Sequence, residues 1–453
     1  MADDTAFPVE TSAAQVVEAV RAAGAEVIDL QFSDITGGAK ALTIPVSLLE
    51  YTLANGYRFD GSALAGQRQI ELTLAIIPDP STLVIFPDEA GLPRRARICG
   101  MVRRLDGSAF PGDPRSVLVD TLEQAQSLGY DYRVSMELEY YLINEDPATI
   151  GQPIKSPLSA SAAGRYFDAA DDRPAQVRDE IVTTLSAIGI KVGGAHHETG
   201  PGQEEIDFLE MGALEMADQL ITAREVIRSV ARRHGFRATF MPKPYLDGPG
   251  SGAHFFQSFL DRDGNDLLRS SRGEGLSRIG RGIIAGQLAH AAGMALILCP
   301  TVNSYKRLNA GHRAPRHATW ARVSQASMIR VPTLNPNQCI EIELRSGDAM
   351  ANPYLALAVA LATALDGIRL GEDPPEPLDE GLMIYDDEEL QRRGIPRLPG
   401  TLGDALTAFA DDLVVQQALG DVIVDQLLNV KRAEWEDYRR YVSPWELAHY
   451  GDA

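Results

Sequence analysis

The sequence predicts an α+β protein in two units: a small N-terminal one and a larger one in which strands alternate with long helices. Three observations carry this. Between about residues 12 and 100, short runs of helix and strand period lie close together. A stretch rich in proline and Asp/Gly turns, residues 78–95, follows them. From about residue 105 onward, strand-like runs alternate with long amphipathic ones.

Taken in order, Val16 to Ala23 has helical periodicity, and Glu26 to Phe32 and Lys40 to Ile44 read as short strands. Pro78 to Arg95 is expected to carry the chain across to the second unit. There, Tyr132 to Asn144 (YRVSMELEYYLIN) predicts a strand with Met136, Leu138 and Tyr140 on one face. Gln176 to Ile188 and Ala213 to His234 predict amphipathic helices. Phe236 to Met241, Ala253 to Phe259 and Cys339 to Leu344 predict further strands. Ala351 to Arg369 and Leu402 to Ala418 predict helices, and Leu427 to Tyr441 a charged one near the end of the chain.

The 453 residues carry a net charge of −21, from 42 basic and 63 acidic side chains. That argues against nucleic acid or an anionic membrane as the main partner. It also leaves carboxylates available for metals. Cys99, Cys299 and Cys339 have no CxxC spacing, and MADDTAFPVE lacks the basic and apolar regions of a signal peptide. A cytoplasmic location is expected. The most apolar stretch, Gly282 to Thr301, contains Gln287, His290 and three glycines and predicts a buried helix rather than a membrane span. There is no G-x-x-x-x-G-K-[ST] loop and no G-x-G-x-x-G fingerprint, so a nucleotide would need another architecture.

Acidic residues recur at strand spacing. Glu137 and Glu139 in M-E-L-E-Y point to one face, about 7 Å apart by strand rise. Taken alone, they read equally as the wet face of a sheet. In A-H-H-E-T-G-P-G-Q-E-E-I-D, a Gly-Pro-Gly turn could bring Glu198 and Glu205 together, beside His196, His197 and Glu204. P-G-S-G-A-H leads a glycine turn into His254, and in I-E-I-E-L-R, Glu341, Glu343 and Arg345 alternate with apolar residues. Carboxylates with one imidazole suit hard divalent cations such as Mg²⁺ or Mn²⁺. Two neighbouring ions would offset a nucleotide's phosphate charge.

In this order the motifs resemble the glutamine synthetase family over nearly the whole chain. The matching segments are Phe59 to Ser62, Met136 to Glu139, His196 to Glu205, Phe240 to Pro244, Gly250 to His254, Asn303 to Leu308, Ile329 to Pro332, Glu343 to Arg345, Asn352 to Leu355 and Lys431 to Trp435. The resemblance implies an N-terminal β-grasp-like domain, residues 1–105, and a catalytic domain, residues 106–453, with a funnel of antiparallel strands. It implies rings of subunits, commonly a homododecamer, and ATP, glutamate and an amine as substrates. One metal would be held by Glu139, Glu198 and Glu205, the other by Glu137, His254 and Glu343. Arg307 and Arg345 would grip glutamate's carboxylates, and Gly250 would meet its backbone. Arg330 would contact phosphate, with Ser258, Arg322 and Gln325 also at the nucleotide. Tyr166, and Asp60 from a neighbouring subunit, would form the amine pocket.

The departures from the family pattern cluster. Where the family has a loop glutamate that closes the site and takes a proton from ammonium, this chain has Arg313 in N-A-G-H-R-A-P. Ala63 follows D-G-S in place of serine, and Leu72-Thr73 replaces an acidic pair. The amine pocket has lost polar and acidic groups, which predicts an amine other than ammonia: a neutral arylamine, or one whose own carboxylate pairs with Arg313. An ordinary ammonia-using synthetase and a non-catalytic regulator are the two other readings. Near the nucleotide, Gln325, Gln338 and Glu341 stand where the family has basic residues, Phe256 replaces a histidine and Pro249 an asparagine. Arg313, Arg316 and Arg322 could restore phosphate charge. Tyr385 in M-I-Y-D-D aligns roughly with a tyrosine adenylylated in some members but reads better as a surface tyrosine.

Overall fold

The computed structural model describes residues 12–64, 66, 72–88, 91–144, 166–167, 173–270, 275–310, 313–332, 339–379 and 387–452. The first unit opens with α1 (Ala13–Ala22), started by a reciprocal capping box between Ser12 and Gln15. Strands β1 (Val27–Ser33) and β2 (Ala39–Pro45) form an antiparallel pair, followed by α2 (Leu49–Asn55), β3 (Tyr57–Asp60), β4 (Thr73–Pro78), β5 (Val84–Ile85) and β6 (Arg95–Arg104). The six strands make one sheet in the order β2-β1-β6-β4-β3, with β5 on β6 and β6 parallel to β1. Val16, Val20, Ile28, Leu30, Leu74 and Ile98 form its core.

Residues 78–95 do not cross between units. Asp79 accepts from Ser81 N at 3.1 Å to start a short helical turn, and β5 then pairs with β6, so the segment stays on the first sheet. The crossing comes after β6. Asp113 accepts from Val102 N at 3.1 Å and caps the next helix, α3 (Pro114–Ser127). From α3, Arg115 reaches Asp79 at 2.8 Å and Asp218 at 2.8 Å, a buried ion pair that ties the two units.

The second unit continues with β7 (Asp131–Asn144), α4 (Arg173–Ala187), β8 (Val192–His197), β9 (Gln203–Gly212), α5 (Ala213–Arg233), β10 (Phe236–Thr239), β11 (Ala253–Leu260), α6 (Arg278–Ala289), α7 (Ala291–Leu298), α8 (Ser304–Asn309), β12 (Trp320–Ala321), β13 (Ile329–Arg330), β14 (Ile342–Leu344), α9 (Pro353–Leu370), α10 (Asp387–Arg392), α11 (Leu402–Asp411), α12 (Leu413–Arg440) and α13 (Pro444–Tyr450). Its strands form an eight-stranded curled sheet, β12-β13-β14-β11-β7-β9-β8, with β10 on β7. Met136, Leu138 and Tyr140 of β7 are buried in the main core, as their alternation predicts.

The apolar stretch 282–301 folds as two helices, α6 and α7, bent by 75° at His290. Helix α9 lies so close to α6 that a Cβ on Gly286 would sit 2.2 Å from Thr363 O; only glycine permits that approach. By length and apolarity α9 could cross a membrane, as could α6 and α7 together, yet 67% of α9 is buried inside the protein. The predicted helix 402–418 is broken at Asp412, whose backbone is extended (φ −99°, ψ 95°) and whose carboxylate accepts from Val415 N at 3.1 Å. Capping by this aspartate overrides the apolar period. The helix expected at 427–441 is the last part of α12. The last predicted strand shortens to β14, and α13 was not expected.

His290 holds this junction together. Its Nδ1 is 2.9 Å from Asp412 and its Nε2 3.2 Å from Asp366, which Arg369 also binds. The hydrogen bond to Asp412, followed by its charge and by Asp366, raises the imidazole above its usual 6.5. A raised folded-state value means the charged form stabilises the fold fully below about 6.5, and that support fades as pH rises through the folded value. Melting temperature is therefore expected to decline with rising pH in that window, and His290→Gln to flatten the decline.

Candidate active site

The register of the large sheet assembles the acidic residues. Glu137 on β7 lies opposite His254 on β11 and Asp207 on β9, and Glu139 lies opposite Glu205. His196 on β8 faces Glu205 from the other side. Arg330 on β13 is in register with Glu343 on β14. The β8–β9 turn is closed by Glu198 N donating to Gln203 O at 2.8 Å and Gln203 N to Gly200 O at 2.9 Å. It brings Glu198 beside Glu205, as the Gly-Pro-Gly sequence suggests. A cavity of about 790 Å³ opens here, lined by Glu137, Glu139, Glu198, Glu205, His254, Arg307, Arg330 and Arg345.

Crowding of like charges away from water governs the electrostatics. Burial, then repulsion from Glu198, pushes Glu139 up to about 7. Burial, then Glu139 and Glu137, pushes Glu205 up to about 11. Burial also raises Glu137. A cation reverses this logic, because it favours the ionised form of every surrounding carboxylate. His254 is held well below its ordinary value, by burial first and then by Arg345, so its imidazole is neutral and can ligate. Its Nδ1 lies 2.8 Å from Glu137 and 3.8 Å from Glu343. The ligating atoms of Glu137, His254 and Glu343 lie within 4.8 Å of one another. So do those of His196, Glu205 and Asp207. This donor set, oxygen-rich with few imidazoles, fits hard divalent ions.

The cationic residues surround the acids. Arg345 and Arg330 both bind the buried Glu343 carboxylate. Arg345 Nε also donates to Gln325 O at 2.9 Å. Arg307 donates to Ser346 O at 3.0 Å and Arg345 O at 3.2 Å. Gly250 packs against it so closely that a Cβ would lie 2.6 Å from Arg307 Cγ. At the rim, the exposed Arg313 guanidinium lies 5.4 Å from the Tyr166 ring centroid, in cation–π contact. Both residues line the cavity. Phe167 beside Tyr166 stacks on His196 at 4.3 Å.

Three sequence-predicted residues lie away from this cavity. Asp60 ends β3 in the first unit, exposed; the Ser62 hydroxyl first, and then Ser62 N at 2.9 Å, lower its carboxyl below the usual range. Ser258 is buried on β11 opposite Arg133. Arg322 pairs with Asp379 at 3.1 Å. Glu341 bonds Ser135 at 3.1 Å. Gln338 and Tyr385 lie outside the described residues. The sequence reading missed Asp207, although its two-residue spacing from Glu205 puts both on one strand face. It also missed Gln203 and Lys243 as cavity residues, both of which stand inside the matching motifs.

A β-grasp unit is followed by a mainly antiparallel sheet that gathers carboxylates, one imidazole and arginines into a single cavity, and the family that this arrangement matches makes the chain an ATP-dependent carbon–nitrogen ligase. The chain belongs to the glutamine synthetase family: it matches the family's catalytic domain over residues 111–450 and its beta-Grasp domain over residues 24–103. It is 38% identical to the glutamine synthetase of Halobacterium salinarum over 442 residues, covering 96% of this chain and 95% of that one. It is 39% identical to that of Staphylococcus aureus strain MRSA252 over 424 residues, covering 93% and 94%. Among solved structures it is similar to the ADP complex of GmaS, a γ-glutamylmethylamide synthetase, with TM-score 0.84, 30% identity and coverage of 97% and 99%. Apo GmaS without ligand gives TM-score 0.83, 31% identity and coverage of 96% and 99%.

Proposed function

We propose that the enzyme joins the γ-carboxylate of L-glutamate to an amine other than ammonia. The observation that carries this reading is the Arg313 guanidinium at the cavity rim, against Tyr166. A fixed cation there repels ammonium and cannot take its proton. A neutral arylamine needs neither attraction of a cation nor a strong base at that position, and the Tyr166 ring offers it an apolar wall. An amine bearing a carboxylate would pair with Arg313 directly. The likeness to GmaS supports an organic amine. The names of the relatives at 38% and 39% identity favour ammonia, the second reading. A non-catalytic regulator is disfavoured, because every expected metal-binding residue and both expected glutamate-binding arginines are present.

In this reading Arg307 and Arg345 hold glutamate beside Gly250, and Arg330 faces the transferring phosphoryl group. Divalent ions held by Glu137, His254 and Glu343, and by Glu139, Glu198 and Glu205, would neutralise the phosphates of ATP. A γ-carboxylate oxygen attacks the γ-phosphorus and ADP leaves, giving γ-glutamyl phosphate. The amine nitrogen then attacks the acyl carbon, the bond to phosphate breaks, and the nitrogen loses a proton. Water must be kept from the acyl phosphate, which it would otherwise hydrolyse. Asp60, ionised and exposed, is absent from its own subunit's cavity; it would serve a neighbour's within a ring, a homododecamer in this reading.

The test is phosphate release from ATP with Mg²⁺ or Mn²⁺, L-glutamate and, separately, ammonium, methylamine, ethanolamine, a diamine, aniline or an amino acid. One organic amine is expected to outpace ammonium, with the γ-glutamylamide identified by mass. Faster turnover with ammonium would overturn the reading.

A further inference from the structure

Gln203 is 1% exposed and uses its whole amide. Its Nε2 donates to Glu139 Oε2 at 2.9 Å and to Gly250 O at 3.0 Å. Its Oε1 accepts from Gly200 N at 3.0 Å and lies 3.2 Å from Tyr141 Oη, which is 2.9 Å from Pro249 O. A flipped amide would set its oxygen against the Glu139 carboxylate and its NH₂ against the Gly200 N–H, so the partners fix one orientation. Gly252 N also donates to Glu139 Oε2, at 3.0 Å. Two donors thus occupy that oxygen and neither bonds Oε1, while Glu139 lines the cavity.

One side chain therefore joins three parts: the Glu139 carboxylate, the 249–252 loop, and the turn carrying Glu198 towards Glu205. We propose that Gln203 is a positioning residue that couples divalent-ion binding to glutamate binding. This rests on reading Glu139 as an ion ligand and Gly250 as part of the glutamate seat. Seating glutamate on the loop orders Gly250 O, which orders the Gln203 amide, which aims Glu139 Oε1. By linkage, the ion must in turn tighten glutamate by the same factor.

The experiment measures Mn²⁺ affinity by electron paramagnetic resonance on the folded enzyme, with and without saturating L-glutamate and without ATP. The ratio of the two dissociation constants is the readout, which a general loss of packing would not selectively abolish. The wild type is expected to bind Mn²⁺ several-fold more tightly with glutamate. Gln203→Met, similar in length but without donors, is expected to weaken Mn²⁺ about 10–100-fold, as loss of a ligand's supporting bond does, and to bring the ratio close to one. Should that variant fail to fold, Gln203→Glu, which replaces the donor with a carboxylate, serves the same comparison. A variant that keeps the wild-type ratio overturns the role of Gln203. A wild type that binds Mn²⁺ equally well with and without glutamate overturns the coupling itself, whereas one that binds no Mn²⁺ overturns the underlying reading of the site.

Discussion

Glu343→Ala is expected to lose at least about a thousandfold in kcat/KM. It removes the carboxylate in a triad with Glu137 and His254. Metal-borne charge stabilisation contributes several kcal/mol, and about 1.4 kcal/mol is tenfold in rate. The fold should suffer as well. Glu343 is fully buried and takes ion pairs from both Arg330 and Arg345. Removing it leaves two guanidinium groups without their shared anion, and breaking a buried pair on one side costs about 3–5 kcal/mol. Glu343→Gln keeps the shape and an acceptor oxygen, so it should lose the activity while recovering part of the stability. Denaturant unfolding of both variants beside steady-state kinetics separates the two effects. Full activity in either variant would exclude Glu343 from the site chemistry.

Arg313→Glu is expected to shift acceptor preference towards ammonium by about 10–100-fold. At roughly 5 Å and an effective dielectric of about 20, a unit charge acts on a cation with about 3 kcal/mol. The substitution changes the charge by two units, but Arg313 is exposed, so solvent takes back much of the effect. The measurable quantity is the ratio of kcat/KM for ammonium to that for the preferred organic amine. Arg313→Gln should give an intermediate shift. An unchanged ratio in both variants would mean that the guanidinium only packs on Tyr166 and does not select the acceptor.

Much of this site could be read before the structure, because strand spacing is local information. Glu137 and Glu139 alternate with apolar Met136, Leu138 and Tyr140, and the strand puts the latter set into the core and the two glutamates on the cavity side. The Gly-Pro-Gly turn likewise fixes its own hairpin. Register between distant strands is not local. Nothing in I-E-I-E-L-R tells that Glu343 meets Arg330 from β13 and His254 from β11. The motif resemblance supplied what spacing could not. Two of the fold differences share a physical theme, side-chain capping against periodicity. Asp412 breaks a helix that its apolar pattern would continue, and Asp79 turns the chain back onto the first sheet where prolines suggested a crossing. Gln203 escaped notice because a glutamine's importance lies in its partners, which come from three separate segments.

In the proposed reaction the second substrate is an organic amine and not ammonia, and a competition in one vessel separates the two. Enzyme, ATP, Mg²⁺ and L-glutamate are given equal ¹⁵N-ammonium and the best organic amine, and the two amide products are counted by mass. The product ratio equals the ratio of kcat/KM values and does not depend on how much of the enzyme is active. An excess of the γ-glutamylated organic amine is the predicted result. Predominantly ¹⁵N-glutamine would overturn the proposed acceptor and make Arg313 a tolerated change in an ammonia-using enzyme.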